Sequence, residues 1–123
     1  EDGYQIPSTY AELIHTMQQI KKARKLPIVF ADKDSWTIHQ GWDAIDMSSR
    51  GSQDNLFQNV LNGTTVLYED PIALDSTRKF LEIRQYGQKQ TINTGYDEAV
   101  KKFAKGEAYM FLQGNWAYPI IKK

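Results

Sequence analysis

Only two stretches of this chain read as buried strands, and they stand far apart. Leu26-Pro27-Ile28-Val29-Phe30-Ala31 and Ala108-Tyr109-Met110-Phe111-Leu112 are short, continuous apolar runs. Runs without polar alternation suit strands covered on both faces. Almost everything between them reads as helix or polar connection. Two strands make a poor sheet alone, so the pattern predicts a helix-rich α/β layer whose other strands come from sequence outside the chain. The chain opens on Glu1-Asp2-Gly3 with no initiator Met and stops on Ile121-Lys122-Lys123, so residues 1–123 are expected to be one partial domain of a longer protein.

The helices announce themselves by their ends. Thr9 and Glu12 have capping-box spacing, and Tyr10, Leu13, Ile14, Met17 and Ile20 follow at helical intervals. Lys21, Lys22, Arg24 and Lys25 are expected in the last turn, and Pro27 marks the stop. A second helix is predicted over Trp36–Met47, with Ile38, Trp42 and Ile45 inward, and then a polar loop from Ser48 to Gln53. Leu56, Phe57, Val60 and Leu61 predict a short helix ending at Asn62-Gly63. Asp70-Pro71 opens another, with Ala73, Thr77, Phe80 and Leu81 inward and an end near Gly87. Gln88 to Gly95 reads as exposed and polar. Asp97 and Glu98 start the next helix, Val100, Phe103 and Ala104 form its apolar face, and Gly106 stops it. A last helical segment follows Gly114-Asn115.

Composition excludes several classes. Fifteen basic and fifteen acidic residues cancel, which argues against nucleic acid as the main partner. There is no cysteine, so there are no disulfides and no Cys-based zinc site. No apolar run approaches membrane-spanning length, and no signal peptide is recognisable. No phosphate loop, nucleophile elbow or Ser/His/Asp arrangement appears, and no cofactor is implied. His39 and Asp43 have i,i+4 spacing, but two ligands make no metal site and a polar helix face explains them. His15 falls on the polar side of the first helix. Glu69-Asp70 and Asp97-Glu98 sit where helix starts favour negative charge, so capping accounts for both acidic pairs.

The two strand exits carry the remaining chemistry. In open α/β sheets, ligands gather beyond the C-terminal ends of parallel strands. The first exit presents Asp32, Lys33, Asp34 and Trp36; the second presents Gln113, Gly114, Asn115, Trp116 and Tyr118. Hydrogen-bonding side chains beside flat aromatics are what a saccharide needs, with hydroxyls bonded and the apolar ring face stacked. Spacing alone leaves a second possibility open: Trp36 and Trp116 as core tryptophans.

Phe103-Ala104-Lys105-Gly106-Glu107-Ala108-Tyr109-Met110 with Gly114-Asn115-Trp116-Ala117 resembles the signature of family 1 extracellular solute-binding proteins, the maltose-binding-protein-like sugar receptors of bacterial ABC importers. Pro7-Ser8-Thr9-Tyr10-Ala11-Glu12-Leu13, Leu26-Pro27-Ile28 and Asp34-Ser35-Trp36 are similar to further family motifs, in the same order. The resemblance covers nearly the whole chain and is weakest from Ser48 to Gly95. It implies a periplasmic-binding-protein-like fold of two lobes with sugar in the cleft between them. This chain would be part of the second lobe, with the first lobe and hinge absent. It further implies a non-enzymatic subunit that passes a mono- or oligosaccharide to the permease transmembrane subunits, as a lipoprotein on the outer face of the membrane or free in the periplasm. In the family, the Trp matching Trp116 stacks on sugar, an aromatic near sugar matches Trp36, and a hydroxyl-binding carboxylate matches Asp34. Tyr118 matches another aromatic near the cleft, and Lys33 lies in the same exit. The family often has Ser or Pro where Asn115 stands, so no ligand role is expected of that side chain. A rival expectation is a carbohydrate-active enzyme using Asp34 as a catalytic carboxylate. A third, a helical interaction domain, predicts Trp36 and Trp116 buried far apart.

Overall fold

The structure, a computed structural model, describes residues 2–122; Glu1 and Lys123 lie outside the described residues. The elements run α1 (Tyr10–Lys22), β1 (Leu26–Val29), α2 (Ser35–Ser49), α3 (Leu56–Leu61), α4 (Pro71–Arg84), α5 (Tyr96–Ala104), β2 (Ala108–Phe111) and α6 (Tyr118–Ile121). β1 and β2 pair in parallel, Leu26 opposite Ala108 and Val29 opposite Phe111.

Both faces of this ribbon are covered, as the unbroken apolar runs require. Side chains alternate along a strand. Ile28 and Phe30 point one way, into a cluster with Met17, Phe80 and Ile83, joined by Trp42, Ile45, Met110 and Leu112. Val29 and Ala31 point the other way, onto Ala99 and Ala108, with Phe103 and Phe111 alongside. Thus α1, α2 and α4 build one layer and α5 the other. The helix-rich α/β architecture agrees with expectation.

The caps follow the predicted chemistry with small shifts. Thr9 Oγ1 accepts from the Glu12 amide at 3.2 Å. The Glu12 carboxylate reaches past the cap amide and accepts from the Ser8 amide at 2.7 Å instead. α1 stops at Lys22, before the proline, because Arg24 turns left-handed at φ 59°; Arg24 and Lys25 therefore lie beyond the last turn. Asp70 Oδ1 caps α4 by accepting from the Ala73 amide at 2.8 Å. At the end of α5, Gly106 takes φ 72° and the Glu107 amide bonds back to the Lys102 carbonyl at 2.9 Å, closing the C-terminus.

Several inward assignments fail. Ile38, Leu81, Thr77 and Ala104 are exposed. The stripe α2 buries is Thr37, Gly41 and Asp46, and α4 buries Ala73, Ser76, Phe80 and Ile83. The reason is close approach. A Cβ on Gly41 would stand 3.0 Å from the Phe80 ring, so the glycine seats that ring and turns α2 away from Ile38. α2 also runs two residues past Met47, where the Ser48 and Ser49 hydroxyls donate to the carbonyls of Ala44 and Ile45 at 2.7 and 2.8 Å.

Two segments read as polar loops prove to be anchored. The Arg50 side chain is almost wholly buried and bonds Asp46 at 2.6 Å, Asp70 at 2.6 Å and Asp54 at 3.0 Å, pinning the end of α2 to the start of α4. The expected exposure of Gln88–Gly95 holds only in part. The Gln88 amide accepts from the Phe30 N–H at 3.0 Å and donates to the Phe30 carbonyl at 2.6 Å, as a neighbouring strand would. Thr94 is buried beside it.

Candidate functional site

Parallel pairing brings both strand exits to one edge. From β1 the chain passes Ala31 and Asp32 into α2; from β2 it passes Leu112 and Gln113 into a tight turn at Asn115–Ala117. Trp36 opens α2 and Trp116 sits in that turn. Their ring centroids are 6.3 Å apart with planes 54° from parallel. They are 46% and 51% exposed, so neither is a core tryptophan and they do not lie far apart.

A third aromatic, not singled out by the spacing, joins them. Tyr96, first residue of α5, stands 5.2 Å from Trp36 and 6.4 Å from Phe111. Its hydroxyl is buried without a partner, and burial, helped by Asp97, pushes its ionisation up. A tyrosine after a run of polar residues carries no periodic signal that would have marked it.

The Gly-x-Trp spacing has a steric cause. A Cβ on Gly114 would fall 2.3 Å from the far edge of the Trp116 indole. The benzene edge of the ring therefore lies against the glycine, in the space a side chain there would fill.

The remaining candidates divide. Asp34 Oδ2 accepts from the Tyr96 amide at 2.6 Å, so this carboxylate ties the first exit to the start of α5. Lys33 is exposed, and its amide donates to the Thr94 carbonyl at 3.1 Å. With Trp36, Gly95, Tyr96, Asp97 and Glu98, they border a shallow hollow of about 490 Å³. Tyr118 is exposed two residues beyond Trp116, with the Lys122 ammonium 5.8 Å from its ring centre. Asp32 faces inward: burial raises its carboxyl, but bonds from Arg84 and the Thr91 hydroxyl outweigh this and hold it below the usual range. Among the described residues no three His, Asp or Glu side chains gather as a metal site; His39 and Asp43 pair with each other at 2.7 Å. Among the described residues no helix is long and apolar enough to cross a membrane.

The edge can stack flat apolar faces on two or three aromatic rings and offer hydrogen bonds from Lys33, Asp34 and backbone beside them. No family model matches the chain. In sequence it is 25% identical over 128 residues to the multiple sugar-binding protein of Streptococcus mutans serotype c, covering 100% of this chain and 30% of that relative. Its backbone superposes with TM-score 0.82, at 25% identity, on a structure from work on xylan utilization by the thermophilic bacterium Caldanaerobius polysaccharolyticus, over 93% of this chain and 29% of that one. It superposes with TM-score 0.84, at 23% identity, on a chitin oligosaccharide binding protein, over 95% and 30% of the two chains. The chain is thus similar along its length to binding proteins for sugars, spans about 30% of their length, and folds as part of one.

Proposed function

We propose that the chain is part of the second lobe of a solute-binding protein that holds a neutral saccharide and delivers it to the permease of an ABC importer, breaking no bond. One observation carries the reading: two half-exposed indoles meet at the shared exit of parallel strands. Stacking on such rings suits the C–H face of a pyranose, and Lys33 and Asp34 are the side chains we assign to its hydroxyls. The rest of the protein would close over this edge and complete the hydrogen bonds. Its place would be outside the membrane, lipid-anchored or free in the periplasm.

The test is a saccharide titration followed by the indole signals of Trp36 and Trp116, with Trp116→Ala as the control. Both signals should move, Trp116→Ala should abolish the response with little change in melting temperature, and oligosaccharides should be recovered intact after long incubation. Shortened products would replace this reading with the enzymatic one.

A further inference from the structure

Asp34 holds the N-cap position of α2, yet its side chain makes no cap bond to that helix. An aspartate in this place ordinarily accepts from an amide of its own first turn. Here the carboxylate turns elsewhere, and Oδ2 accepts from the amide of Tyr96, 62 residues on, at 2.6 Å. Tyr96 is the first residue of α5, and the cap residue of that helix, Gly95, has no side chain to offer. One aspartate thus stands at the start of one helix and caps another.

Its neighbours make the same crossing. The Lys33 amide donates to the Thr94 carbonyl at 3.1 Å. Gln88, clamped on Phe30, donates to Thr94 Oγ1 at 3.2 Å. Gly95 lets the two stretches close up: a Cβ there would stand 3.3 Å from Asp34 Oδ2, tighter than ordinary contact.

What this fixation serves is visible in the rings. Tyr96 lies 5.2 Å from Trp36 and 6.4 Å from Phe111, and Phe111 lies 5.9 Å from Phe103. Trp36 is half exposed, whereas Phe103 and Phe111 pack on the buried cluster of Val29, Ala31 and Ala99. Tyr96 therefore links an indole of the candidate site to the interior. Its buried hydroxyl has no partner, so ring packing and the backbone amide are what hold it. We propose that Asp34 is a positioning residue: through the Tyr96 amide it sets the Tyr96 ring against Trp36, and so sets the angle at which Trp36 meets a saccharide. Oδ2 has this task, and Oδ1 is the oxygen that would take the hydroxyl assigned above. The proposal rests on the saccharide reading and divides the carboxylate between two roles.

Asparagine separates those roles. Its side-chain carbonyl can still accept from the Tyr96 amide, whereas alanine accepts nothing. The first readout is the nuclear Overhauser cross-peaks between the Tyr96 and Trp36 rings in the ligand-free chain. They should be present in the wild type, survive in Asp34→Asn and vanish in Asp34→Ala. Asp34→Ser, which can cap α2 itself but is too short for Tyr96, keeps the fold in case alanine does not, and should also lose them. The second readout is affinity for glucose, xylose, N-acetylglucosamine and their disaccharides, followed at the Trp36 and Trp116 indoles. Asp34→Ala or Asp34→Ser should bind about two- to tenfold more weakly than Asp34→Asn, the worth of one misplaced aromatic contact. In a Tyr96→Leu background that gap should close, because the aspartate then has no ring to place. Cross-peaks that persist in both short variants overturn the proposal. A gap that survives in Tyr96→Leu overturns it too, by making Asp34 a direct ligand group alone. Equal binding by the short variants and Asp34→Asn also overturns it, leaving a helix cap with no bearing on the site. If no wild-type indole responds to any of these sugars, the saccharide reading falls and this inference falls with it.

Discussion

Replacing Gly114 with alanine moves the Trp116 indole without removing it. The backbone there, φ −79° and ψ 171°, is open to any residue, so alanine brings no backbone strain. Its new methyl group is the problem. It would stand 2.3 Å from the indole edge, and the ring must retreat to the 3.4 Å of ordinary contact. That rotation costs about 0.5–1.5 kcal/mol in rotamer energy and breaks the pairing with Trp36, worth a similar ~0.5–1.5 kcal/mol. Alanine returns about 0.4–1 kcal/mol by narrowing the unfolded ensemble. Because Trp116 is half exposed, the indole can swing into water, and the fold should lose no more than about 2 kcal/mol. Saccharide affinity should fall roughly fivefold or more, the loss of one stacking contact. Two measurements on Gly114→Ala decide the matter: the indole N–H signals of Trp36 and Trp116 in the free protein, and the melting curve. Both signals should shift, because each ring lies in the other's magnetic shadow. Unchanged signals would refute the folded-over indole, and a collapse of the melting temperature would show that Gly114 serves the core.

Three further outcomes follow from the same geometry. Arg50→Met should cost about 3–5 kcal/mol at neutral pH by stranding buried carboxylates, read by urea unfolding. Bonds to Arg50 hold the Asp70 carboxyl below its usual range; such a group adds stability that is complete above the unfolded value near 3.9 and lost as pH falls through the folded one, so the wild type should weaken below about pH 4 and Arg50→Met should lack that part of the slope. Gln88→Leu should cost about 2–3 kcal/mol by leaving the Phe30 N–H and C=O unpaired, with faster hydrogen exchange at the Phe30 amide. The chain alone should bind any saccharide at millimolar strength or weaker, because an open shelf leaves hydroxyls in water while association still costs several kcal/mol; micromolar binding in calorimetry would show that one lobe suffices.

The strands and their shared edge were legible because a β-branched run is a local signal, and parallel order sends both exits the same way. Trp36 and Trp116 meet for that reason. The inward faces of α2 and α4 were harder to read. Ile38 and Leu81 are apolar and correctly spaced, yet Gly41, a small residue that hydropathy overlooks, is what meets Phe80 of α4, and α4 buries the small Ser76 instead of Leu81. Tyr96, Gln88 and Arg50 act through partners far along the chain, Trp36, Phe30 and Asp70 respectively. Periodicity cannot report such pairings. Asp34 likewise acts at a distance along the chain, holding the Tyr96 amide.

The parallel ribbon also governs how the molecule comes into being. Leu26 must find Ala108, about two-thirds of the chain's length away, and no hairpin or local turn helps it. Closing so long a loop is entropically costly and is repaid only when the intervening helices have collapsed around it. Until then the two tryptophans belong to separate, unacquainted stretches of polypeptide. The stacking edge therefore cannot exist in any half-folded intermediate. It arises at the moment the last strand docks, so burial of the ribbon and readiness to hold a ligand should appear in the same kinetic phase.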